Sequence, residues 1–274
     1  MAVLILIVLG LCFGSFITAL VWRLYEQPKH NKSLDKQKLS IVRGRSMCEN
    51  CHHVLMPLDL VPVFSWLALG GKCRYCRKSF SVQNPLIELS TAILFVFSYL
   101  AWPYGFKSEG LVVFSIWLAI LVCLIALAIY DIRWKLLPNK LVFPVVFLAA
   151  AIILIKLLFY HAGASLIYGS FFGVLLSAGV FYALFILSQG KWIGGGDVKL
   201  AVGLGLLIGG PSEAILMLFG ASALGMIISL PLIFSSHMKF NAKIPFGPLL
   251  IASTIVCYFY GTDIVNWYSR IFIR

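Results

Sequence analysis

Apolar positions along the chain fall into long unbroken runs, not into an alternating or four-residue rhythm. Eight runs stand out, at 2–22, 85–102, 111–130, 141–160, 164–188, 198–210, 213–234 and 248–267. A helix needs about 20 apolar residues to cross the hydrocarbon of a bilayer. Inside that hydrocarbon the segment must also satisfy its own backbone N–H and C=O groups, so each run predicts a helix. The sixth run, 198–210, is short and glycine-rich, and predicts a helix that is tilted, partly re-entrant or buried among its neighbours. The first run has no basic start and no small-residue cleavage site after it, so it predicts a retained helix and not a removed signal.

One hydrophilic stretch is long enough to be a folded piece, residues 23–84. The pattern therefore predicts an all-α polytopic membrane protein of about eight transmembrane helices. It divides the chain into a first helix at 1–22, a loop domain at 23–84 and a helical core at 85–274.

Composition excludes a soluble globular domain. Of 274 residues, 61% are hydrophobic and 12% charged, whereas soluble domains carry about a quarter charged residues. The net charge of +12 is concentrated: residues 23–84 hold 11 of the 22 lysines and arginines, against four acids, Glu26, Asp35, Glu49 and Asp59. A basic patch can meet nucleic acid. Beside membrane helices, with no nucleic-acid motif, it predicts a topology signal and contact with anionic lipid.

Counting through eight helices with 23–84 in the cytoplasm puts the loops at 131–140, 189–199 and 235–247 there too. Arg133, Lys135, Lys140, Lys191, Lys199, Lys239 and Lys243 then lie inside, and only Lys107, Arg270 and Arg274 lie outside. Positive charge gathers on the cytoplasmic side of membrane proteins. The count predicts both termini outside. Lys156, inside the fourth run, would snorkel outward.

Four of the seven cysteines form two pairs, Cys48 with Cys51 and Cys73 with Cys76, separated by 21 residues. Two CxxC knuckles at such a separation suit a tetrahedral Zn²⁺, each pair supplying one edge of the tetrahedron. Lys72, Arg74, Arg77 and Lys78 favour the thiolate forms. Three readings compete. Cys48 to His52 matches the spacing of a haem-attachment segment, and two disulfides are conceivable; a cytoplasmic loop argues against both. A redox CxxC would leave the second pair unexplained. His52 and His53 could replace a cysteine ligand. Four thiolates leave no open position, so the site is expected to be structural and to help fold a loop with little core of its own. Cys12, Cys123 and Cys257 lie within the apolar runs and are expected to pack.

Ionisable residues at the edges of apolar runs are costly and so are functional candidates. Glu213 and Asp263 fall at the outer edge, where water reaches them. Glu88, Asp131 and Asp197 fall at the cytoplasmic edge, with Glu88 expected in a supporting role. Asp131 and Asp197 sit on different helices, each two residues before a cation, Arg133 or Lys199. Two carboxylates at hydrogen-bond distance cannot both ionise easily and share a proton. One form activates a water as general base and the other, protonated, polarises a carbonyl. Gly194, Gly195 and Gly196 precede Asp197. Lacking Cβ, they permit positive φ and close approach of a substrate backbone; taken alone they read equally well as a break before a helix.

Taken in order, "GLCFGSF" (10–16), the cysteine segment 46–89, "YDIRWKLLPNKL" (130–141), "GGGDVKLAVGLGLLIG" (194–209) and "IPFGPLL" (244–250) resemble the bacterial prepilin peptidases. These type IV leader peptidases are GxGD membrane aspartic proteases, and the resemblance covers nearly the whole chain. It implies that Asp131 and Asp197 are the catalytic pair. It implies prepilin or pseudopilin substrates, cut after a short basic leader at the cytoplasmic face of the inner membrane. It also implies, for many members, methylation of the new N-terminus with S-adenosylmethionine. The chain departs from the family pattern in "CENC", which lacks a common proline, and in "LPN", where Pro-Asp is frequent. The competing class is a transporter with a carboxylate proton relay and a zinc-stabilised regulatory loop. Transporters usually show internal repeats, and none is evident.

Overall fold

The computed structural model describes residues 1–27, 39–41, 44–160, 163–234 and 245–272. Lys29, Lys32, Lys36, Lys38, Arg43, Lys239, Lys243 and Arg274, which enter the charge count, lie outside the described residues, as does Asp35. Eight long helices correspond to the eight apolar runs: α1 (Ala2–Glu26), α3 (Gln83–Leu100), α4 (Ser108–Trp134), α5 (Asn139–Phe159), α6 (Ala164–Leu187), α7 (Gly195–Ile208), α8 (Pro211–Phe234) and α9 (Gly247–Phe272). A 3-10 turn (Pro57–Leu60) and the short α2 (Phe64–Ala68) lie in the loop domain. Among the described residues there is no β-strand, only isolated bridges joining Met47 to Val54 and Lys72 to Ser79.

Six of the long helices are apolar and long enough to cross a membrane. The other two are α3, which opens on polar residues and carries Glu88, and α7. With 14 residues, α7 reaches about 21 Å, short of a hydrocarbon core of about 30 Å. Large side chains face outward along the helices; Phe147 and Phe219 are each 71% exposed. Such faces are stable against lipid and costly against water.

The chain separates into two compact units, Met1–Trp102 and Pro103–Arg274. The boundary falls after α3, not before it, because α1 and α3 are packed backbone to backbone. Gly10 and Gly14 are four residues apart and so lie on one face of α1. A Cβ on Gly10 would stand 2.5 Å from the Ala92 Cα, and one on Gly14 would stand 2.5 Å from the Glu88 Cα. This is the close approach that small residues at i and i+4 allow between membrane helices. The loop is tied back onto α1, whose Arg23 donates to the carbonyl oxygens of Ser40 and Ile41 at 3.2 and 3.3 Å.

In the second unit α4 is the most buried helix, apolar around its whole girth. Trp117 stacks on Tyr258 of α9 with ring centroids 4.0 Å apart. Glycine again sets the close contacts. A Cβ on Gly205 of α7 would lie 2.9 Å from the Val174 Cα of α6, and beside it Ser177 Oγ donates to the Ala201 carbonyl at 3.1 Å. Between α8 and α9, Ser253 Oγ donates to the Met217 carbonyl at 2.8 Å. These contacts pack the helices whose ends carry the site.

Candidate aspartate site and cysteine cluster

Asp131 lies in the last turn of α4 and is buried. The helix stops four residues later because Lys135 adopts a left-handed conformation, φ 55°, and returns its N–H to the Asp131 carbonyl at 2.8 Å. A left-handed cap is a common helix terminator. The Asp131 carboxylate reaches across to α9, where Oδ2 accepts the N–H of Gly247 at 3.1 Å. Gly247 is the first residue of α9, so the carboxylate meets the positive end of a helix. A Cβ on Gly247 would stand 2.7 Å from Asp131 Oδ2, and only glycine admits the carboxylate.

Asp197 holds the third position of α7 and is half-buried. Its Oδ2 accepts the Gly194 N–H at 3.3 Å, while its own N–H donates to the Gly194 carbonyl at 3.1 Å. Each aspartate is thus held by a backbone N–H at a helix N-terminus, Asp197 by its own helix and Asp131 by another. The two carboxylates lie within electrostatic reach of each other. Leu137 sits between their supports. A Cβ on Gly196 would stand 2.9 Å from Leu137 Cβ, and one on Gly247 would stand 3.6 Å from Leu137 Cδ2.

The triple glycine does not use positive φ. Gly194 has φ −77°, and the left-handed residues nearby are Gln189 and Gly190. What the run provides is space. Gly196 takes the Leu137 side chain, whereas a Cβ on Gly195 would meet only the Phe185 ring, at 3.8 Å. Of the two flanking cations, Lys199 is exposed and donates to Asn139 Oδ1 at 3.1 Å, bracing α7 against the start of α5. Arg133 lies over the Trp134 ring, 5.9 Å from its centre. The cation within electrostatic reach of Asp131 is Lys135, which the sequence reading did not single out. Gly247 was likewise missed; its signal was the lone glycine that opens the last apolar run in "PFGPLL".

The other edge residues fall elsewhere. Lys156 lies over the Tyr104 ring at 4.7 Å, Glu213 Oε1 accepts the Thr262 hydroxyl at 3.4 Å, and Glu88 belongs to the first unit.

In the first unit the sulfurs of Cys48, Cys51, Cys73 and Cys76 all lie within 4.8 Å of one another. The two knuckles repeat one geometry. Cys48 N–H donates to the His53 carbonyl at 3.0 Å and Cys73 N–H to the Lys78 carbonyl at 2.9 Å. The residue after each second cysteine is left-handed, His52 at φ 56° and Arg77 at φ 60°. Tetrahedral Zn–S bonds of about 2.3 Å place sulfurs about 3.8 Å apart; Cys48 and Cys76 sulfurs stand at 3.9 Å. Burial pushes the Cys48 thiol up to about 12. At Cys73 burial pushes the same way, but the N–H groups of Cys76 and Tyr75 and the neighbouring thiols bring it down to about 7. Four crowded sulfurs of such unequal acidity can bind a metal ion that replaces their protons. Neither histidine joins the cluster: the His53 ring lies 3.7 Å from that of Tyr75, and the His52 ring 6.5 Å from that of Trp22.

Fold and site together define a multi-pass helical membrane protein with two aspartates at neighbouring helix ends and a four-cysteine cluster able to bind a metal ion. Family comparison gives the next step. The bacterial peptidase A24 N-terminal domain matches residues 8–102 and the type IV leader peptidase family matches residues 118–230. Curated relatives named prepilin leader peptidase/N-methyltransferase align along nearly the whole chain. That of Pseudomonas aeruginosa is 31% identical over 98% of this chain and 93% of its own. That of Bacillus subtilis is 31% identical over 97% of each, and that of Aeromonas hydrophila is 29% identical over 96% and 92%. The chain belongs to the type IV leader peptidase family. No solved structure matches it. The transporter reading is not favoured.

Proposed function

We propose that this protein is a membrane aspartic endopeptidase that removes the short basic leader of type IV prepilins or pseudopilins and then N-methylates the new N-terminus. Asp131 and Asp197 are the catalytic pair. What supports this reading is their position at the ends of α4 and α7, within electrostatic reach of each other, each carboxylate anchored by one backbone N–H.

The pair shares one proton. The ionised carboxylate takes a proton from water as its oxygen attacks the scissile carbonyl carbon. The protonated one donates a hydrogen bond to the carbonyl oxygen, which gains charge as the tetrahedral intermediate forms. Collapse breaks the C–N bond, and the amine leaves with a proton from the pair. The Gly247 and Gly194 N–H groups hold the oxygens in place and lower the cost of keeping charge there. Lys199 and Arg133 support the ends of α7 and α4, and Gly196 makes room for Leu137.

The basic loop sets the orientation, with the cysteine cluster and the aspartates on the cytoplasmic side of the inner membrane and lipid around the helices. A prepilin helix lying in the bilayer then presents its scissile bond at the depth of the pair. The cysteines hold Zn²⁺ in a structural role, completing the fold of residues 23–84, and the helices that follow α3 form the proteolytic core. Methylation draws on S-adenosylmethionine.

Purified protein in detergent, incubated with a prepilin and S-adenosylmethionine, tests the reading by mass spectrometry of the product. The expected product has lost its leader and gained one methyl group at the N-terminus. Unprocessed prepilin would refute the peptidase reading, and a cleaved but unmethylated product would confine the enzyme to proteolysis.

A further inference from the structure

Asp131 and Lys135 stand four residues apart at the end of α4. On a helix that spacing sets two side chains next to each other, and an acid placed before a base is the favourable order. The two are within electrostatic reach. The backbone couples them as well, since the Lys135 N–H donates to the Asp131 carbonyl at 2.8 Å.

Lysine is an uncommon residue for this position. Lys135 has φ 55° and ψ 41°, the left-handed cap that glycine and asparagine fill most readily, because a Cβ there crowds the following carbonyl oxygen. Backbone strain of this kind persists where the surrounding structure enforces it, and it gathers at functional sites. Glycine would satisfy the turn; what lysine adds is its charge.

The other charges around the pair are engaged or lie apart. On α4, Arg133 lies over the Trp134 ring. On α7, Lys199 donates to Asn139 at the start of α5, and Lys140 beside it is exposed. Lys191 lies on the exposed turn after α6. α9 contributes the uncharged Gly247 N–H, and its first charged residue, Asp263, follows 16 positions later.

We infer that Lys135 is a positioning residue of the proposed peptidase: its ammonium beside Asp131 sets the pH range over which the aspartate pair holds one shared proton. The inference rests on Asp131 and Asp197 acting as that pair. A pair with two protons lacks the base that activates water. A pair with none lacks the acid that polarises the carbonyl, so the rate follows a bell against pH. A nearby cation favours the loss of each proton. It moves both sides of the bell to lower pH, and its removal moves both sides back up. Lys135 is exposed, so water and salt screen its charge and the movement is small.

Leader removal from a purified prepilin, followed against pH at low salt with the protein in detergent, tests this. Lys135→Gly should move the whole bell up by about 0.3 of a pH unit, the scale of one charge pair at this spacing. The amount of protein in the membrane fraction should not fall, because glycine relieves the turn. Lys135→Glu sets a like charge beside Asp131 and should move the bell about twice as far. Lys135→Arg should leave it in place. Salt at about 1 M should bring the curves of all three variants and the unaltered protein together. A bell that changes height but not position in Lys135→Gly and Lys135→Glu would overturn the inference and leave the peptidase reading standing. No leader removal by the unaltered protein would overturn that reading, and the role of Lys135 with it.

Discussion

Gly247 donates its backbone N–H to Asp131 Oδ2 at 3.1 Å, across 116 positions of sequence. The bond closes the second unit, since it joins the end of α4 to the start of α9. It also gives a buried carboxylate a backbone donor. Gly247→Ala would put a Cβ 2.7 Å from that oxygen. The carboxylate or the start of α9 must then move. A displacement of about 1 Å in a catalytic group costs about a hundredfold. Leader removal by Gly247→Ala should fall by about that factor, with the protein still in the membrane fraction.

The three glycines before Asp197 should not respond alike. Gly196→Ala drives a Cβ to 2.9 Å from Leu137 Cβ, an atom fixed close to the backbone, whereas Gly195→Ala meets only the edge of Phe185 at 3.8 Å. Gly196→Ala should cut the cleavage rate at least about tenfold more than Gly195→Ala, on the same argument from displacement. Equal rates in the two variants would remove Leu137 as the reason for the glycine.

Most of the fold was legible because a bilayer leaves few choices. A long apolar run must become a helix, so the eight runs map onto eight helices, and the short sixth run became the short α7. The domain boundary was not legible from hydropathy. It depends on Gly10 and Gly14 meeting Ala92 and Glu88, and small-residue spacing on α1 was the one available signal. The aspartates could be singled out because charge is rare in such a chain. Their supports could not, because Gly247 and Leu137 are ordinary residues whose roles arise from packing across distant helices. The glycines before Asp197 invited an argument from positive φ, and the structure uses them for space instead.

Lys199 braces α7 on Asn139 through an exposed hydrogen bond. Exposed polar contacts of long side chains contribute little, up to about 1 kcal/mol. Lys199→Met should therefore lower the cleavage rate by no more than about fivefold, the ratio corresponding to that energy. A loss of hundreds-fold would mean that its ammonium acts on the substrate.

The cysteine cluster should carry about one zinc per chain, as a closed four-sulfur site does. Metal analysis of purified protein should show that Cys48→Ser and Cys73→Ser each lose it. Proteolysis should then cut first within residues 23–84, because metal binding and folding of a small loop are one process. Unchanged zinc in both variants would remove the four-sulfur site.

The central claim is that Asp131 and Asp197 act as one catalytic pair. Its most direct test is leader removal from a co-expressed prepilin by Asp131→Asn and Asp197→Asn, each variant checked for its presence in the membrane. Residues that act as a unit each cost nearly the whole activity when removed alone. Both variants should lose cleavage by about a thousandfold or more, and the double variant should be no worse than either. Normal processing by either single variant would contradict the pair.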